Sequence, residues 1–164
     1  MAKTTIKFRF NPTEIDYAIR KIEQYKKMFL FKCEKLVRAL TREGIEIASV
    51  QVAQLDAIDT GKLLTNVGGY FDTKSGVGII KADTPYAIYV EFGTGVVGKQ
   101  SPHPKPKGYK YDVNNHGDKG WLYYDENSGE FKWTKGFKSR PFMYNTARKL
   151  EKECAKIAVE VFGR

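Results

Sequence analysis

The longest hydrophobic pattern in the chain covers residues 15–47, where apolar side chains recur at intervals of three and four residues or their sums. This spacing places them on one face of a helix. Residues 11–14, Asn-Pro-Thr-Glu, precede the pattern with an N-cap residue, a proline suited to the first helical position and the acid of a capping box. We therefore predict one long helix, which Gly44 either ends or kinks, and we favour helix for residues 45–55.

Shorter patterns on both sides of this helix indicate strands. Residues 6–10 alternate apolar and basic side chains, which predicts an amphipathic strand. Residues 63–72 and 77–82 flank a glycine-containing turn and predict a β-hairpin, in which Gly68, Gly69 and Gly78 indicate a bulge or a close backbone contact.

The segment that follows is punctuated by proline and glycine. Residues 85–93 begin with Pro85 and end with Gly93, which favours a short helical turn, although their alternation also suits a strand. Residues 93–120 contain no regular pattern. Within them, proline at every second position of 102–106 predicts an extended and exposed chain.

The last third of the chain combines an aromatic hairpin with a helix. Residues 121–124 and 130–133 read as its two strands, and we predict that residues 96–139 form a mobile arm. A final helix follows Pro141, with an apolar face of Met143, Ala147, Leu150, Cys154, Ile157 and Val161. The predicted fold is α+β: a small, mainly antiparallel sheet packed by a long N-terminal helix and a C-terminal helix, with a long arm or hairpin insertion.

Length and composition describe one basic domain over residues 1–164. The net charge is +9, with 11 basic and 4 acidic residues in 1–42 but 3 and 7 in 43–93. Basic ends around an acidic middle suit head-to-tail contact between copies, or contact with a polyanion. We see no signal peptide and no apolar run that approaches the roughly 18 residues of a membrane span, so we expect synthesis in a cytosol. Cys33 and Cys154 are expected to be buried free thiols.

No motif in the chain predicts catalysis. Asp59-Thr60-Gly61 spells the aspartic-protease triplet, but it follows a predicted helix and precedes Lys62, so a capping role is favoured. Thr60-Gly61-Lys62 is only part of a phosphate-binding loop. The two histidines and two cysteines have no ligand spacing. We expect no enzyme activity, no cofactor and no bound metal.

Lysines and aromatic side chains alternate between residues 99 and 140. Such a region either stacks single-stranded nucleic acid or forms a protein–protein contact, and the sequence leaves both open. The candidate contact residues are Lys105, Tyr109, Tyr111, Trp121, Tyr123, Trp133 and Arg140.

Three stretches together resemble the small neck, or head–tail joining, proteins of tailed phages, also labelled minor tail or tail completion components. They are residues 60–67, TGKLLTNV; residues 86–95, YAIYVEFGTG; and residues 140–147, RPFMYNTA. The motif positions are Thr60, Gly61, Leu63, Tyr86, Glu91, Gly93, Thr94, Gly95, Pro141 and Phe142. The resemblance covers roughly residues 12–160, and the arm is longer than in the minimal pattern.

The resemblance implies a virion protein, made in the host cytoplasm, that assembles as a six-fold or twelve-fold ring between head and tail. Its implied partners are further copies of itself, a head-completion or connector protein, and a tail terminator or tail tube protein. Weak contact with DNA is compatible with this role, and a membrane is not involved. The alternative is a nucleic-acid-binding module. In both cases we expect Glu91 to be a structural acid that accepts hydrogen bonds from the amides of Gly93–Gly95 or pairs with a basic neighbour.

Overall fold

The computed structural model describes residues 5–57, 61–125 and 127–163. Helix α1 (Pro12–Gln54) is followed by a helical turn α2 (Lys62–Thr65) and strands β1 (Val67–Asp72) and β2 (Val77–Ala82). Helices α3 (Ala87–Phe92) and α4 (Gly95–Gln100) lead to strands β3 (Trp121–Asp125) and β4 (Glu130–Thr134), and α5 (Phe142–Phe162) closes the chain. Helix α1 packs along α5 and against β1 and β2. The fold is α+β, as predicted, with two separate two-stranded sheets.

Helix α1 begins as its sequence predicts. The Asn11 side chain accepts a hydrogen bond from the amide of Glu14 at 3.0 Å, and Pro12 is the first helical residue. The Glu14 carboxylate accepts from the amide of Arg9 at 3.2 Å, two residues before the Asn11 amide that a regular capping box uses. With 43 residues the helix is about 65 Å long, which is twice the length of the 21-residue α5.

Gly44 neither ends α1 nor serves as a cap. It is buried in mid-helix, and a Cβ atom there would collide with Cδ1 of Ile80 on β2. Gly78 makes the reciprocal approach, because a Cβ atom there would collide with Oγ1 of Thr41 on α1. The two glycines let β2 lie directly on the helix, which confirms the predicted close contact at Gly78.

Both hairpins are antiparallel and regular. Strand β1 pairs with β2 from Val67 opposite Ala82 to Asp72 opposite Val77, without a bulge. Strand β3 pairs with β4 from Trp121 opposite Thr134 to Asp125 opposite Glu130. The aromatic hairpin is therefore confirmed, and so is β2. The strand predicted for residues 63–72 begins only at Val67, because residues 62–65 form the helical turn α2.

A small core joins α1 to the segments around α2, α3 and α5. Its buried apolar side chains are Val52, Ala57, Leu63, Ala87, Val90 and Phe142. Phe142 is only 1% exposed and is the largest side chain among them. The core therefore lies at the C-terminal end of α1, and the opposite end of this helix is far from it.

Several predicted elements are wrong. Residues 5–9 contain no strand, because no second strand pairs with them within the described residues. Residues 95–100, predicted as irregular, form α4. The predicted α5 face is partly confirmed, because four of its members are half-buried: Met143, Leu150, Ile157 and Val161. Ala147 and Cys154 are exposed, and the fully buried residues of α5 are Phe142 and Thr146. Thr146 tolerates burial because its hydroxyl donates to the carbonyl of Phe142 at 2.7 Å. Cys33 and Cys154 are free, but Cys33 is only half-buried and Cys154 is exposed.

Candidate functional site

Residues 85–95 form a compact helix and turn. Tyr86 caps the N-terminus of α3, and Gly93 ends the helix with a φ of 81°, which favours glycine. The helical alternative for this segment is thus confirmed over the strand. Tyr89 and Ile88 point to solvent, whereas Ala87, Val90 and Glu91 are buried.

Glu91 carries a buried carboxylate, with 8% of the residue exposed. Its Oε2 accepts a hydrogen bond from the amide of Met143 at 2.9 Å, and its Oε1 accepts from the amide of Tyr144 at 2.9 Å. These amides belong to the first turn of α5. Because Pro141 supplies no capping side chain there, Glu91 satisfies two of the unpaired amides from another helix. Its negative charge also complements the positive end of the α5 dipole.

His103 completes the site from a third segment of the chain. Its Nε2 lies 3.1 Å from Oε1 of Glu91, and its Nδ1 accepts a hydrogen bond from the amide of Lys105 at 2.9 Å. Since Nδ1 accepts, the proton of the neutral imidazole is on Nε2, which donates to Glu91. We call Glu91, His103 and the amides of Met143 and Tyr144 the Glu91 cluster.

Two expectations about this region are corrected. His103 is 5% exposed, although its proline-rich segment was predicted to be exposed throughout. Alternate residues of an extended chain point in opposite directions, so His103 faces inward while Pro102 and Pro104 stay in solvent. The imidazole packs on Phe92 and Tyr144, with ring centroids 4.3 Å and 5.3 Å away.

The amides of Gly93, Thr94 and Gly95 do not bind Glu91. They donate to the carbonyls of Tyr89 at 2.6 Å, Phe137 at 3.0 Å and Tyr111 at 2.7 Å, respectively. The predicted glycine cradle is therefore wrong. In place of the expected basic neighbour, Glu91 pairs with the imidazole of His103, 12 residues away.

The two glycines of this turn allow the end of the arm to lie against it. A Cβ atom at Gly93 would lie 2.7 Å from the carbonyl oxygen of Phe137. Ser139 adds a hydrogen bond from its hydroxyl to the carbonyl of Glu91 at 2.6 Å, and Arg140 donates its amide to Val90 at 2.9 Å. The returning segment 135–140 is thereby fixed beside α3.

The three stretches that carry the family resemblance meet in space. Leu63 of the first, Ala87 and Val90 of the second and Phe142 of the third share the small core. Gly61 precedes α2 with a φ of 76°. Thr60 and Asp59 lie outside the described residues, so their predicted capping role stays a prediction. In this structure the three stretches bring α2, α3 and α5 together in one core.

The seven candidate contact residues differ in exposure. Tyr123 and Trp133 are 43% and 58% exposed, and Lys105 is exposed as well. Tyr109 donates from its hydroxyl to the carbonyl of Gly93 at 2.9 Å, and its burial raises the pKa of its hydroxyl. The half-buried members are Tyr109, Tyr111, Trp121 and Arg140. Their role as partner contacts stays a prediction.

An open groove of about 890 Å³ lies between α3 and the β3–β4 hairpin. Tyr86, Tyr89, Trp121 and Phe137 form aromatic parts of its wall. Two buried polar atoms in its wall, Oγ1 of Thr94 and Nε of Arg140, have no hydrogen-bond partner. The groove combines aromatic surfaces with polar and charged side chains, among them Asp56, Lys62 and Arg140.

Asp125 in the wall of this groove and Asp112 outside it are both engaged in local structure. Asp125 accepts from Lys132 and Ser128, and these bonds lower the pKa of its carboxyl to about 2. Asp112 accepts from the amides of Gly117 and His116, which lowers the pKa of its carboxyl. Among residues 5–57, 61–125 and 127–163, no three His, Cys, Asp or Glu side chains are grouped to hold a metal ion.

The chain was compared with known protein families, with curated proteins and with solved structures, and none of the three comparisons finds a match. In the part of the chain that the structure describes, no helix is both long and apolar enough to cross a membrane.

The sequence predicted that Glu91 is structural, but it could not reveal the partners of its carboxylate. His103 is 12 residues away, and the α5 amides are more than 50 residues away. One signal was present in the sequence. Helix α5 begins after a proline and lacks a capping side chain of its own, so its amides required an acceptor from elsewhere.

Proposed function

We propose that this protein is a structural subunit of a tailed phage or prophage, which assembles with copies of itself into a ring at the neck and joins the DNA-filled head to the tail. The neck assignment follows the resemblance in residues 60–67, 86–95 and 140–147. The observation that carries assembly is the amount of apolar surface exposed in the subunit. On α1 alone, residues 19–31 are all exposed and include Ile22, Phe29 and Phe31.

Apolar surface on this scale has a direct physical meaning. Soluble monomers rarely expose contiguous apolar patches of more than a few hundred Å², and larger patches mark contacts with other molecules. A long helix in which residues 19–31 are all exposed is a poor design for a monomer, because most helical stability in proteins comes from packing. In an assembly, this stretch of α1 would be covered.

The Glu91 cluster fits a structural role better than a chemical one. Both carboxylate oxygens already accept hydrogen bonds, and Nδ1 of His103 is occupied by the amide of Lys105. A general base must also reach a substrate proton, and Glu91 and His103 are only 8% and 5% exposed. We therefore propose that the cluster fixes the angle between α3, α5 and the arm, and that the protein has no enzyme activity.

The proposed partners follow from the proposed place in the virion. Copies of the chain form the ring, which is six-fold or twelve-fold. One face of the ring meets a head-completion or connector protein, and the other meets a tail terminator or tail tube protein. The excess of 28 basic over 19 acidic residues suits weak contact with DNA that passes through the ring.

A nucleic-acid-binding module is the second candidate from the sequence. Its main feature was the basic, aromatic-rich region of residues 99–140, which contains nine basic and five acidic residues. Within this region, residues 121–134 contain three acidic residues and one basic residue, so the hairpin is the part least suited to phosphate groups.

The proposal is tested by imaging the purified, concentrated protein in negative stain and by adding it to filled heads and tails that lack their neck protein. Closed rings and restored joining are expected. A protein that forms no ring, and that binds nucleic acid tightly and sequence-selectively at high salt, would contradict the proposal and favour the second candidate.

A further inference from the structure

The net positive charge of the chain is concentrated in two segments that flank the β3–β4 hairpin. Residues 95–120 and 135–140 together contain eight basic and two acidic residues, whereas the rest of the chain contains 20 and 17. These two segments therefore carry six of the nine net positive charges. Seven of their eight bases are exposed lysines, which we call the lysine surface: Lys99, Lys105, Lys107, Lys110, Lys119, Lys135 and Lys138.

The fold brings the two segments side by side. The amide of Val97 donates to the carbonyl of Lys135 at 3.2 Å, and the amide of Ser139 donates to the carbonyl of Ser101 at 3.2 Å. A further bond of 2.7 Å joins the first amide of α4 to the carbonyl of Tyr111. Lysines that are far apart in the sequence thus lie on neighbouring backbone segments.

The charge of the lysine surface is not neutralised within the subunit. None of its seven lysines forms an ion pair in the part of the chain that the structure describes. Asp112 and Asp118 lie in a cleft of about 320 Å³ that Lys99 and Lys110 also line. Asp112 accepts from two backbone amides there and not from a lysine. Like charges on neighbouring segments repel one another, and a bound polyanion would relieve this repulsion.

The other side chains of the two segments favour nucleic acid over an acidic protein. In residues 95–120 and 135–140, Val113 is the one large aliphatic or aromatic side chain that is exposed. Protein–protein interfaces centre on aromatic or aliphatic anchors and are depleted in lysine. Interfaces with nucleic acid are more polar and much more positively charged, which is the composition found here.

The secondary structure of these segments restricts how they can contact DNA. Helix α4 has six residues and is about 9 Å long, and residues 101–120 contain no strand. Base edges in the major groove are read by an inserted helix or a two-stranded ribbon, so the contact here is with phosphate groups. Lysine binds a phosphate as a point charge, without the fixed two-bond geometry of arginine. Such contacts hold DNA without fixing its register.

Resting on the proposed function, we propose that the lysine surface contacts the phosphate backbone of the DNA that passes through the ring, without reading its sequence. The β3–β4 hairpin takes no part in this contact, because residues 121–134 contain three acidic residues and one basic residue. A contact made by separate lysines is weak and reversible, so the DNA can move past it.

The experiment removes three lysines at a time from the full-length protein. The loop variant changes three lysines that follow α4: Lys105→Gln, Lys107→Gln and Lys110→Gln. The flank variant changes three lysines on α4 and on the returning segment: Lys99→Gln, Lys135→Gln and Lys138→Gln. The matched control loses the same charge from three exposed lysines of α1: Lys26→Gln, Lys27→Gln and Lys35→Gln.

Fluorescence anisotropy with a duplex of about 20 base pairs measures binding at several salt concentrations. Each phosphate contact contributes about 0.9 to the slope of the logarithm of the binding constant against the logarithm of the salt concentration. The loop and flank variants should each lower this slope by about 2 to 3 and weaken binding about tenfold or more at low salt. The control should lower it by less than about 1.

Two checks keep these measurements comparable. Circular dichroism shows whether each variant is folded. Sedimentation velocity shows whether each variant forms the same species as the parent, because a change of oligomeric state would alter the affinity through multivalency.

A poly-glutamate peptide of about 20 residues tests the acidic protein as the alternative partner. A duplex carries one charge per roughly 1.7 Å, whereas an extended peptide carries one per roughly 3.3 Å. The parent should therefore bind the peptide at least about tenfold more weakly than the duplex at the same salt concentration. Equal or tighter binding of the peptide would overturn the assignment to nucleic acid.

The outcomes separate this inference from the proposed function. The inference is overturned if the parent binds no duplex at low salt, if the control loses as much affinity as the other variants, or if only one of the loop and flank variants loses affinity. None of these results concerns self-assembly, which sedimentation velocity measures in the same samples. A parent that stays monomeric contradicts the proposed function, and the duplex measurements then decide the inference on their own.

Discussion

At the residue scale, Glu91 is the point where three distant segments are connected. A buried carboxylate is costly unless hydrogen bonds compensate its charge, and here two helix amides and an imidazole N–H do so. The carboxylate therefore specifies how α3, α5 and residues 101–107 meet. Residue-level reasoning from the sequence expected a structural acid that accepts hydrogen bonds, and the carboxylate is buried and accepts them. It assigned the wrong donors because neighbouring amides are visible in a sequence and remote ones are not.

The first prediction concerns this carboxylate. Glu91→Ala leaves two amides of α5 and the Nε2–H of His103 without an acceptor, so we expect a loss of about 3 kcal/mol in the free energy of unfolding. Glu91→Gln keeps the shape and one acceptor oxygen, so its loss should be smaller. Chemical denaturation of both variants measures this difference. A loss below about 0.5 kcal/mol for Glu91→Ala would refute the proposed structural role of the Glu91 cluster.

The second prediction concerns the pair of Glu91 and His103. A double-mutant cycle with Glu91→Gln and His103→Gln should give a coupling energy of about 1 kcal/mol or more, because the pair is buried. Asp112 and His116 provide a matched control. They form a similar pair at 3.5 Å, but both side chains are 31% exposed, so their coupling should stay below about 0.5 kcal/mol. Equal coupling in the two cycles would contradict the structural role of His103.

At the element scale, the structure shows which local patterns determine an element and which do not. The cap at Asn11 and the turns around Gly76 and Gly129 were readable, because a few neighbouring residues determine them. The pattern of residues 6–10 suggested a strand, but a strand needs a partner. The predicted α5 face included Ala147 and Cys154, which are exposed, and it missed Thr146. The residue type of Thr146 indicated a polar position, but its hydroxyl is satisfied by a local hydrogen bond.

The hairpin gives a prediction about pH. The pKa of the Asp125 carboxyl is about 2, below its ordinary value of 3.8, because Lys132 and Ser128 bind the charged form. Its contribution to hairpin stability is therefore present above pH 4 and is lost as the pH falls from 4 towards 2. The indole NMR signal of Trp133 should report this loss. The Asp125→Asn variant, which has no carboxyl to titrate, should show no such transition.

The arm gives a prediction about proteolysis. Limited digestion with trypsin should cut first within residues 96–139, where exposed lysines such as Lys107 and Lys110 lie in segments without regular structure. Segment 135–140 should resist, since its carbonyls accept hydrogen bonds beside α3. First cleavage at Lys26 or Lys27 would show that α1 opens more readily than the arm.

At the scale of the whole molecule, the fold class was predictable and the unpaired surfaces were not. The α+β class follows from two helical patterns around two hairpins. The exposure of Ile22 became visible only when α1 proved twice as long as its partner α5. The exposure of Phe131 became visible only when the β3–β4 hairpin proved to have an uncovered face. Periodicity shows that a face is apolar, but it cannot show whether the same chain or another copy covers this face.

The charge of the whole molecule gives a prediction about DNA. With a net charge of +9, the free protein should bind duplex DNA weakly and without sequence preference, and the affinity should fall steeply with added salt. Fluorescence anisotropy with two unrelated duplexes at several salt concentrations measures this. A clear preference for one duplex that persists at high salt would conflict with a ring that contacts passing DNA only weakly and without regard to its sequence.

The central claim is that the protein acts by assembling with itself, and sedimentation velocity over a wide concentration series tests it most directly. The account predicts a concentration-dependent shift from the 18.7 kDa monomer to one closed species whose mass is a fixed multiple of it. A single monomer boundary at every concentration would contradict the claim.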